Sequence, residues 1–159
     1  MELRAATTDD LDSALDLLEA VASERRWIGA EPPVDRAATR AKWVEGFIRV
    51  RSGAMFVALD DGRVVGVAQM KGDGLSELGM YVDASMRRRG MGSALLEACI
   101  RWAGEAGAYK IRLQVWPHNT SAIALYEKFG FEREGYLRRH YRRRSGEIWD
   151  CVLMGLVLD

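Results

Sequence analysis

The chain has 159 residues, the usual length of one domain, so residues 1–159 are expected to fold as a single domain. Its 23 lysines and arginines balance its 23 aspartates and glutamates, so its net charge argues for neither nucleic acid nor a membrane as a general partner. The two cysteines and two histidines show no metal-ligand spacing, and no apolar run approaches the ~20 residues that span a membrane. We therefore expect a cytoplasmic protein without a bound metal.

The first half of the chain predicts a strand, two helices and three further strands. Apolar residues recur at helical spacing from Leu11 to Ala22, and Thr7 and Asp10 stand before them at capping-box spacing. Asp60-Asp61-Gly62 is a hairpin turn signal. The predicted elements are a strand at 3–6, helices at 7–23 and 35–51, and strands at 55–59, 64–70 and 75–82. A loop at 25–34 contains Pro32-Pro33, which excludes regular structure.

The second half predicts alternating helices and strands that end in a long hairpin. The apolar stripe that begins at Leu95 and Leu96 indicates an amphipathic helix, and the alternation around Leu113 indicates a strand. The predicted elements are helices at 93–106 and 120–129 and strands at 110–116, 131–141 and 148–158. Several strands in a row, followed by alternation of strand and helix, indicate an α/β (α+β) fold in which helices cover a mixed sheet.

A basic loop with two glycines joins the strand at 75–82 to the helix at 93–106. It reads Arg87-Arg88-Arg89-Gly90-Met91-Gly92-Ser93. The first amides of a helix have no partner inside it and lie at the positive end of its dipole, and glycine lets a phosphate approach the main chain. The loop lacks the lysine of a Walker motif, and Leu95 replaces the third glycine of a dinucleotide fingerprint. It is either a phosphate or pyrophosphate site of another kind or a basic surface turn.

The spacing Arg-x-x-Gly-x-Gly, at Arg87, Gly90 and Gly92, resembles the coenzyme A pyrophosphate loop of the GNAT superfamily of N-acetyltransferases. Residues 119–131 are similar to a second family segment, Asn-x-x-Ala-x-x-x-Tyr-x-x-x-Gly-Phe. The order of predicted elements is also that of the GNAT fold. The resemblance implies a mixed, mostly antiparallel twisted sheet of about seven strands flanked by four helices. It also implies an acetyl-CoA-dependent N-acetyltransferase that uses no metal and binds the cofactor through residues 87–93.

Three further positions acquire roles from this resemblance. Asn119 would hydrogen-bond the pantetheine arm of the cofactor, since an amide side chain both donates and accepts. Tyr126 would lie beside the thioester sulfur and serve as the acid. A strand amide at Val82, or at its neighbour Tyr81, would bind the cofactor by polarising the thioester carbonyl. The structural alternatives are a helix N-cap for Asn119 and a core aromatic residue for Tyr126.

Glu77 is the candidate general base, because it is the only acidic residue within the strand at 75–82. Strand alternation places it on the same face as Gly79 and Tyr81. In the enzymes of the family that the chain resembles, a side chain on this strand takes the proton of the acceptor amine, and it is often a glutamate that acts through water. The alternative is a solvated strand residue.

The acceptor is expected to be a primary amine, in a small molecule or a peptide. The tail that includes Gly146, Glu147 and Asp150 resembles bacterial family members that act on free amino acids and ribosomal protein N-termini, which indicates an α-amino group. Trp27 and Glu31 in the loop at 25–34 are candidate acceptor-binding residues, unless the tryptophan merely covers the core.

The basic arm at 138–144 is a further candidate surface. It is either a solvated hairpin or a docking surface for an acidic acceptor, and the scarcity of interleaved aromatic residues argues against nucleic acid. A non-catalytic coenzyme A sensor and a ribosome-associated module are the alternative functions. An exposed last strand would suit a homodimer.

Overall fold

The computed structural model describes residues 1–49 and 52–158, which form one seven-stranded sheet and four α-helices. The strands are β1 (Glu2–Ala5), β2 (Gly53–Asp60), β3 (Arg63–Lys71), β4 (Leu75–Val82), β5 (Lys110–Val115), β6 (Glu132–Arg142) and β7 (Ile148–Val157). The helices are α1 (Leu11–Ser23), α2 (Arg36–Trp43), α3 (Met91–Glu105) and α4 (Thr120–Lys128).

The strands lie side by side in the order β1-β2-β3-β4-β5-β7-β6. Every neighbouring pair is antiparallel except β4 and β5, which run parallel. This confirms the mixed, mostly antiparallel sheet with four flanking helices that the family resemblance implied.

Helices cover both faces of the sheet because β3 contributes alternate residues to two hydrophobic clusters. Val67 packs in the cluster that contains Leu11 and Leu15 of α1, whereas Ala68 packs in the cluster that contains Leu95 of α3. All these side chains are at most 1% exposed. Burying one leucine side chain contributes roughly 1.5–3 kcal/mol, so the two clusters hold α1 and α3 against opposite faces of the sheet.

The helix predicted at 7–23 begins with a 3₁₀ turn, Thr8–Asp10, and continues as α1. The Thr7 amide donates to Asp10 Oδ2 at 2.7 Å, as the capping-box spacing predicted. Arg4 donates to the same carboxylate at 2.7 Å, and this hydrogen bond lowers the pKa of Asp10 despite its burial. The pair fastens β1 to the start of α1.

The helix predicted at 35–51 is α-helical only over α2 and then continues as a π-helical turn, Val44–Arg49. The Asp35 carboxylate accepts the Ala38 amide at 3.0 Å, which explains the start of the helix. Trp43 and Phe47 both face the core. The last part of the prediction, Val50 and Arg51, lies outside the described residues.

The predicted hairpin turn also agrees with the structure. Asp61 and Gly62 join β2 to β3 with φ values of 51° and 77°, the pair of positive angles that a type I′ hairpin requires. Cys99 and Cys151 are buried free thiols. Within residues 1–49 and 52–158, no helix has both the length and the apolar character needed to cross a membrane.

Candidate functional site

A fork between β4 and β5 organises the site. The two strands pair in register only at Leu75 with Lys110, Ser76 with Ile111 and Glu77 with Arg112. Both strands continue further, β4 as far as Val82, so their backbones separate after Glu77. Along this open length, the side of β4 that faces β5 has no strand partner among the described residues.

The backbone of Val82 points into the fork. The Asp83 amide donates to the Val65 carbonyl of β3 at 2.8 Å, and Val82 lies opposite Gly66. In an antiparallel ladder the N–H and C=O groups of one residue point to the same side, and consecutive residues alternate. Val82 therefore directs both groups away from β3 and towards β5, whereas Tyr81 directs its backbone groups towards β3. Of the two neighbouring amides that the sequence singled out, only that of Val82 faces the fork.

The N-terminus of α3 opens beside the end of β4. Gly90 precedes the helix with φ of 81°, a left-handed conformation that side chains rarely adopt, and it supplies no side-chain cap. Since the helix starts at Met91 and not at the predicted residue 93, its first free amides belong to Met91, Gly92 and Ser93. None of these three N–H groups meets an acceptor in the described part of the chain. Free amides at a helix N-terminus are suited to an anion, which is the kind of site that the glycine pattern predicts.

The packing of α3 against its neighbours is a second reason for a glycine at Gly92. A Cβ atom built at this position would lie 3.0 Å from Leu125 Cδ2 of α4 and 3.8 Å from Met80 Cε of β4. The glycine therefore allows α3 to approach α4 closely at the mouth of the fork. A Cβ at Gly90 would instead meet open space, so that position is constrained by its backbone angle alone.

The three arginines of the loop have different environments. Arg88 and Arg89 are exposed beside the free helix amides, where their charges raise the local positive potential. Arg87 turns away and donates to both carboxylate oxygens of Glu24, at 2.8 and 2.7 Å. Its Nε also donates to the Val82 carbonyl at 3.1 Å. The guanidinium of Arg87 is therefore occupied by protein groups.

Asn119 and Tyr126 lie two turns apart on α4. Asn119 Oδ1 accepts the Ala122 amide at 3.3 Å, so this side chain is the N-cap, as the structural alternative held. Tyr126 is 7% exposed and its ring centroid lies 5.6 Å from that of Phe131, so it is also part of the core. Burial raises the pKa of the Tyr126 hydroxyl, so the phenol is protonated at neutral pH and is a weaker acid than an exposed tyrosine.

Glu77 lies at the closed end of the fork. Its carboxylate is 3.4 Å from Arg112 Nη2 of β5, and both side chains are about half exposed. Val82 lies five positions further along β4, which corresponds to ~16 Å along an extended strand. Any proton transfer from an amine near the Val82 amide to Glu77 must therefore pass through water.

A cleft of about 430 Å³ opens on the face of the sheet covered by α1 and α2. Its walls come from α1, α2, the loop before α2, β3, β4 and the β6–β7 turn, and its lining includes Leu18, Glu31, Lys42, Trp43, Gln69, Lys71, Tyr81 and Arg144. Among the described residues, neither Lys42 nor Lys71 has a carboxylate within 4 Å. The lining also includes the carboxylates of Glu31 and Asp35, but neither lysine forms an ion pair with a carboxylate of the described residues.

The Tyr81 side chain joins this cleft to the fork. Its hydroxyl is buried and has no hydrogen-bond partner within the described part of the chain. Burial raises the pKa of this phenol, so it is a neutral donor at physiological pH. Its side chain lines the cleft while the next residue, Val82, points its amide into the fork. The two cavities therefore meet at Tyr81 and Val82.

The loop at 25–34 closes one side of the cleft. Glu31 lines the cleft, whereas Trp27 lies outside the lining, donates to Glu24 Oε1 at 3.1 Å and packs against His118. The two residues that the sequence proposed as acceptor contacts therefore occupy different environments.

The basic arm at 138–144 differs from both readings that its sequence suggested, because part of it turns inward. Arg143 is 7% exposed, packs against the rings of Trp116 and Trp149, and donates to the carbonyls of Ile28 and Gly29 at 3.2 Å each. The sequence did not indicate the roles of Arg143 and Glu24, because the residues that they contact lie more than 60 positions away in the chain. No local pattern marks them.

Comparison with known proteins adds an independent line of evidence. Residues 15–131 match the model of the acetyltransferase (GNAT) family. The chain is similar to an L-methionine sulfoximine/L-methionine sulfone acetyltransferase of Pseudomonas paraeruginosa, with 29% identity over 167 residues, 99% of this chain and 94% of the relative. It is also similar to the L-amino acid N-acetyltransferase AaaT of Escherichia coli, with 36% identity over 111 residues, 64% of this chain and 66% of the relative.

The fold has a close counterpart among solved structures. A GNAT superfamily phosphinothricin acetyltransferase from Sinorhizobium meliloti, solved in complex with acetyl-CoA, superimposes with a TM-score of 0.88. The match covers 99% of this chain and 88% of that one, with 24% identity.

Proposed function

The chain belongs to the acetyltransferase (GNAT) family, and we propose that its acceptor is the α-amino group of an amino acid, a peptide or a related small molecule. The enzyme is an acyltransferase that uses acetyl-CoA as the acetyl donor. Family membership favours this activity over a non-catalytic coenzyme A sensor. The finer proposals concern the residues that carry the reaction and the chemical class of the amine.

The cofactor would bind along the fork and across the N-terminus of α3. The free amides of Met91, Gly92 and Ser93 fit a pyrophosphate, because they converge at the positive end of a fifteen-residue helix. Arg88 and Arg89 would add charge to this site. The open edge of β4 fits an extended arm that carries amide groups, and the amide side chain of Asn119 at the start of α4 would contact the same arm.

The reaction would take place where the fork meets the cleft. Bound acetyl-CoA supplies the thioester, whose acetyl carbon forms a bond to the amine nitrogen as its bond to sulfur breaks. The Val82 amide would donate to the carbonyl oxygen, where negative charge develops. Glu77 would accept the proton of the amine through intervening water, and Tyr126 would donate its proton to the departing sulfur. The acetyl group thereby passes directly from donor to acceptor without bonding to the protein.

The observation that carries the acceptor proposal is the pair of lysines in the cleft, neither of which forms an ion pair within the described residues. Lys42 and Lys71 attract a carboxylate and repel a polycation, and the α-carboxylate of an amino acid satisfies the first requirement. Leu18 and Trp43 in the same lining offer apolar contacts to its side chain. Such a substrate would lie in the cleft with its amino group directed at Tyr81 and Val82. A peptide N-terminus would use the same entrance if its first residues leave the cleft towards solvent.

Each amino acid in a test panel is best compared with the amine that remains after removal of its carboxylate. We expect kcat/KM to be at least roughly tenfold higher for the amino acid, since a hydrogen bond to a charged group contributes about 1.5–3 kcal/mol. The variants Lys42→Met and Lys71→Met should each reduce this preference, whereas Lys128→Met, which lies outside the lining, should preserve it. A higher kcat/KM for the decarboxylated amines or for spermidine would refute the proposal.

We also propose that residues 1–159 act as one N-acetyltransferase domain of a bacterial, cytoplasmic enzyme. The two buried free thiols support a reducing compartment. The last strand, β7, is not the exposed strand that was expected, because it pairs with both β5 and β6; the edge strand β6 would instead offer a surface for a homodimer. The inward turn of Arg143 reduces the basic surface available to RNA, which disfavours a ribosome-associated module.

A further inference from the structure

Arg87 connects three parts of the site. Its Nη1 and Nη2 atoms donate to Glu24, the residue that follows the last turn of α1, and its Nε donates to the Val82 carbonyl. Its guanidinium carbon lies 5.7 Å from the centre of the Trp27 ring. The indole of Trp27 donates to the same Glu24 carboxylate. We call Glu24, Arg87 and Trp27 the brace.

The brace contributes little to overall stability. The Arg87 and Glu24 side chains are 30% and 32% exposed, so solvent screens their attraction, and pairs of this kind contribute roughly 0–1 kcal/mol. Its geometry is nevertheless well defined, because two parallel N–H···O bonds fix the plane of the guanidinium against the carboxylate. A contact that orients a group strongly while stabilising the fold weakly is suited to positioning.

The group that the brace orients is Val82. On the β3 side, Val82 is held by its neighbours through the Asp83–Val65 hydrogen bond. On the side of the fork no strand holds it, and within the described residues the Arg87 Nε is the donor that meets its carbonyl. Since the carbonyl and the amide of one strand residue point to the same side, fixing the carbonyl also fixes the direction of the amide. Arg87 therefore sets the aim of the group that would polarise the thioester.

The other end of the brace lies on the acceptor side. Glu24 holds the Trp27 indole, and Trp27 belongs to the loop that closes the cleft and packs against His118 beside the start of α4. The Glu24 carboxylate thus fixes the loop at 25–34, which we call the acceptor loop. Through Arg87 it also fixes the Val82 amide. The hydrogen bond with Arg87 keeps the pKa of Glu24 below its usual value, so the carboxylate stays ionised at neutral pH.

We infer that Glu24 is a positioning residue for acetyl transfer, acting through Arg87 on the Val82 amide and through Trp27 on the acceptor loop. The motif arginine then serves to align the donor and acceptor sides, and not to bind pyrophosphate through its side chain. This inference rests on the proposed function of the Val82 amide.

The test compares Glu24→Gln and Glu24→Asp with the parent and with Glu45→Gln, which removes an exposed ion pair to Arg49 on α2's extension. Misplacement of a reacting group by about 1 Å can lower a rate by up to 10²-fold, so we expect kcat of Glu24→Gln to fall by roughly 10–100-fold. Glu24→Asp should recover part of this loss. The Kd for acetyl-CoA, measured by calorimetry, should stay within about twofold, because the helix amides are untouched. Glu45→Gln should behave as the parent.

A second readout reports the aim of Val82 without turnover. The Val82 amide resonance of the ¹⁵N-labelled protein saturated with coenzyme A should shift in Glu24→Gln and move back towards the parent position in Glu24→Asp. Parental kcat and an unmoved resonance would overturn the inference. So would a large rise in the acetyl-CoA Kd with unchanged kcat, since Arg87 and Glu24 would then act on the cofactor. All rates are measured with the best amine of the panel, so a wrong acceptor class fails in the panel and leaves this comparison intact.

Discussion

Replacing Arg143 should loosen the acceptor loop and leave the cofactor site unchanged. Its guanidinium donates to two loop carbonyls at 3.2 Å, lies 3.7 Å from the Glu31 carboxylate and packs against two tryptophan rings. Removing one partner of a buried ion pair costs about 3–5 kcal/mol. Glu31 keeps a hydrogen bond from the Arg144 amide at 3.0 Å, so we expect Arg143→Met to cost about 3 kcal/mol, the lower end.

Arg143→Lys separates charge from geometry. Lysine preserves the positive charge beside the rings but cannot donate to both carbonyls as the planar guanidinium does, so the expected loss in unfolding free energy is about 1–2 kcal/mol. The acceptor KM should rise by roughly tenfold because the loop that closes the cleft is no longer fixed, a loss of about 1.4 kcal/mol in acceptor binding. The KM for acetyl-CoA should change by less than about twofold.

Urea denaturation and steady-state kinetics with each substrate varied in turn measure these quantities. Arg142→Met is the matched control, since Arg142 is the exposed last residue of β6, next to Arg143, and its loss should change stability by less than about 0.5 kcal/mol. Equal effects of Arg142→Met and Arg143→Met would refute the reasoning, as would a rise in the acetyl-CoA KM that matches the rise in the acceptor KM.

Four further changes test the site and the fold. Glu77→Gln should lower kcat by roughly 10²–10⁴ at neutral pH, with a smaller deficit at high pH where the amine is already neutral; a rate within twofold of the parent would exclude Glu77 as the base. Tyr126→Phe should lower kcat by roughly 10–10³ with little change in acetyl-CoA affinity, and unfolding of this variant would show that the residue serves the core alone. Gly90→Val places a β-branched side chain at φ of 81°, so calorimetry should show much weaker acetyl-CoA binding, in contrast to a surface change such as Arg142→Met. Asp10→Asn should destabilise the protein most above about pH 4, because the folded-state pKa of Asp10 is lowered by Arg4 and its contribution is lost as pH falls through that pKa; a pH-independent difference in urea denaturation would contradict this.

Much of the fold follows from local sequence patterns. The bounds of β4 and the Asp61-Gly62 turn were predicted at residue level, because alternation and turn chemistry depend on neighbouring residues only. The predicted start of α3 was two residues late, because Gly90 caps the helix through a positive φ that its sequence context does not specify.

The site was only partly predictable, because its decisive contacts join distant segments. The glycine loop and the segment from Asn119 to Tyr126 are short motifs and were recognised directly. By contrast, Glu24 and Arg87 are 63 residues apart, and the inward turn of Arg143 depends on loop carbonyls more than 110 residues away. Charge counting predicted an exposed basic arm at that hairpin, since composition does not reveal which arginine finds buried partners.

The fork between β4 and β5 also has a consequence for the lifetime of the protein. The fork leaves backbone donors and acceptors of β4 without a strand partner inside the sheet. A neighbouring chain cannot add a strand there, but a ligand that carries amide groups can form hydrogen bonds with them. Any ligand that binds the folded state alone raises its stability, by about 2.7 kcal/mol at a concentration one hundred times the Kd. Acetyl-CoA that fills the fork would therefore protect the enzyme from unfolding and proteolysis. The amount of enzyme in a cell would then follow the supply of its own donor, with scarcity of acetyl-CoA accelerating its degradation.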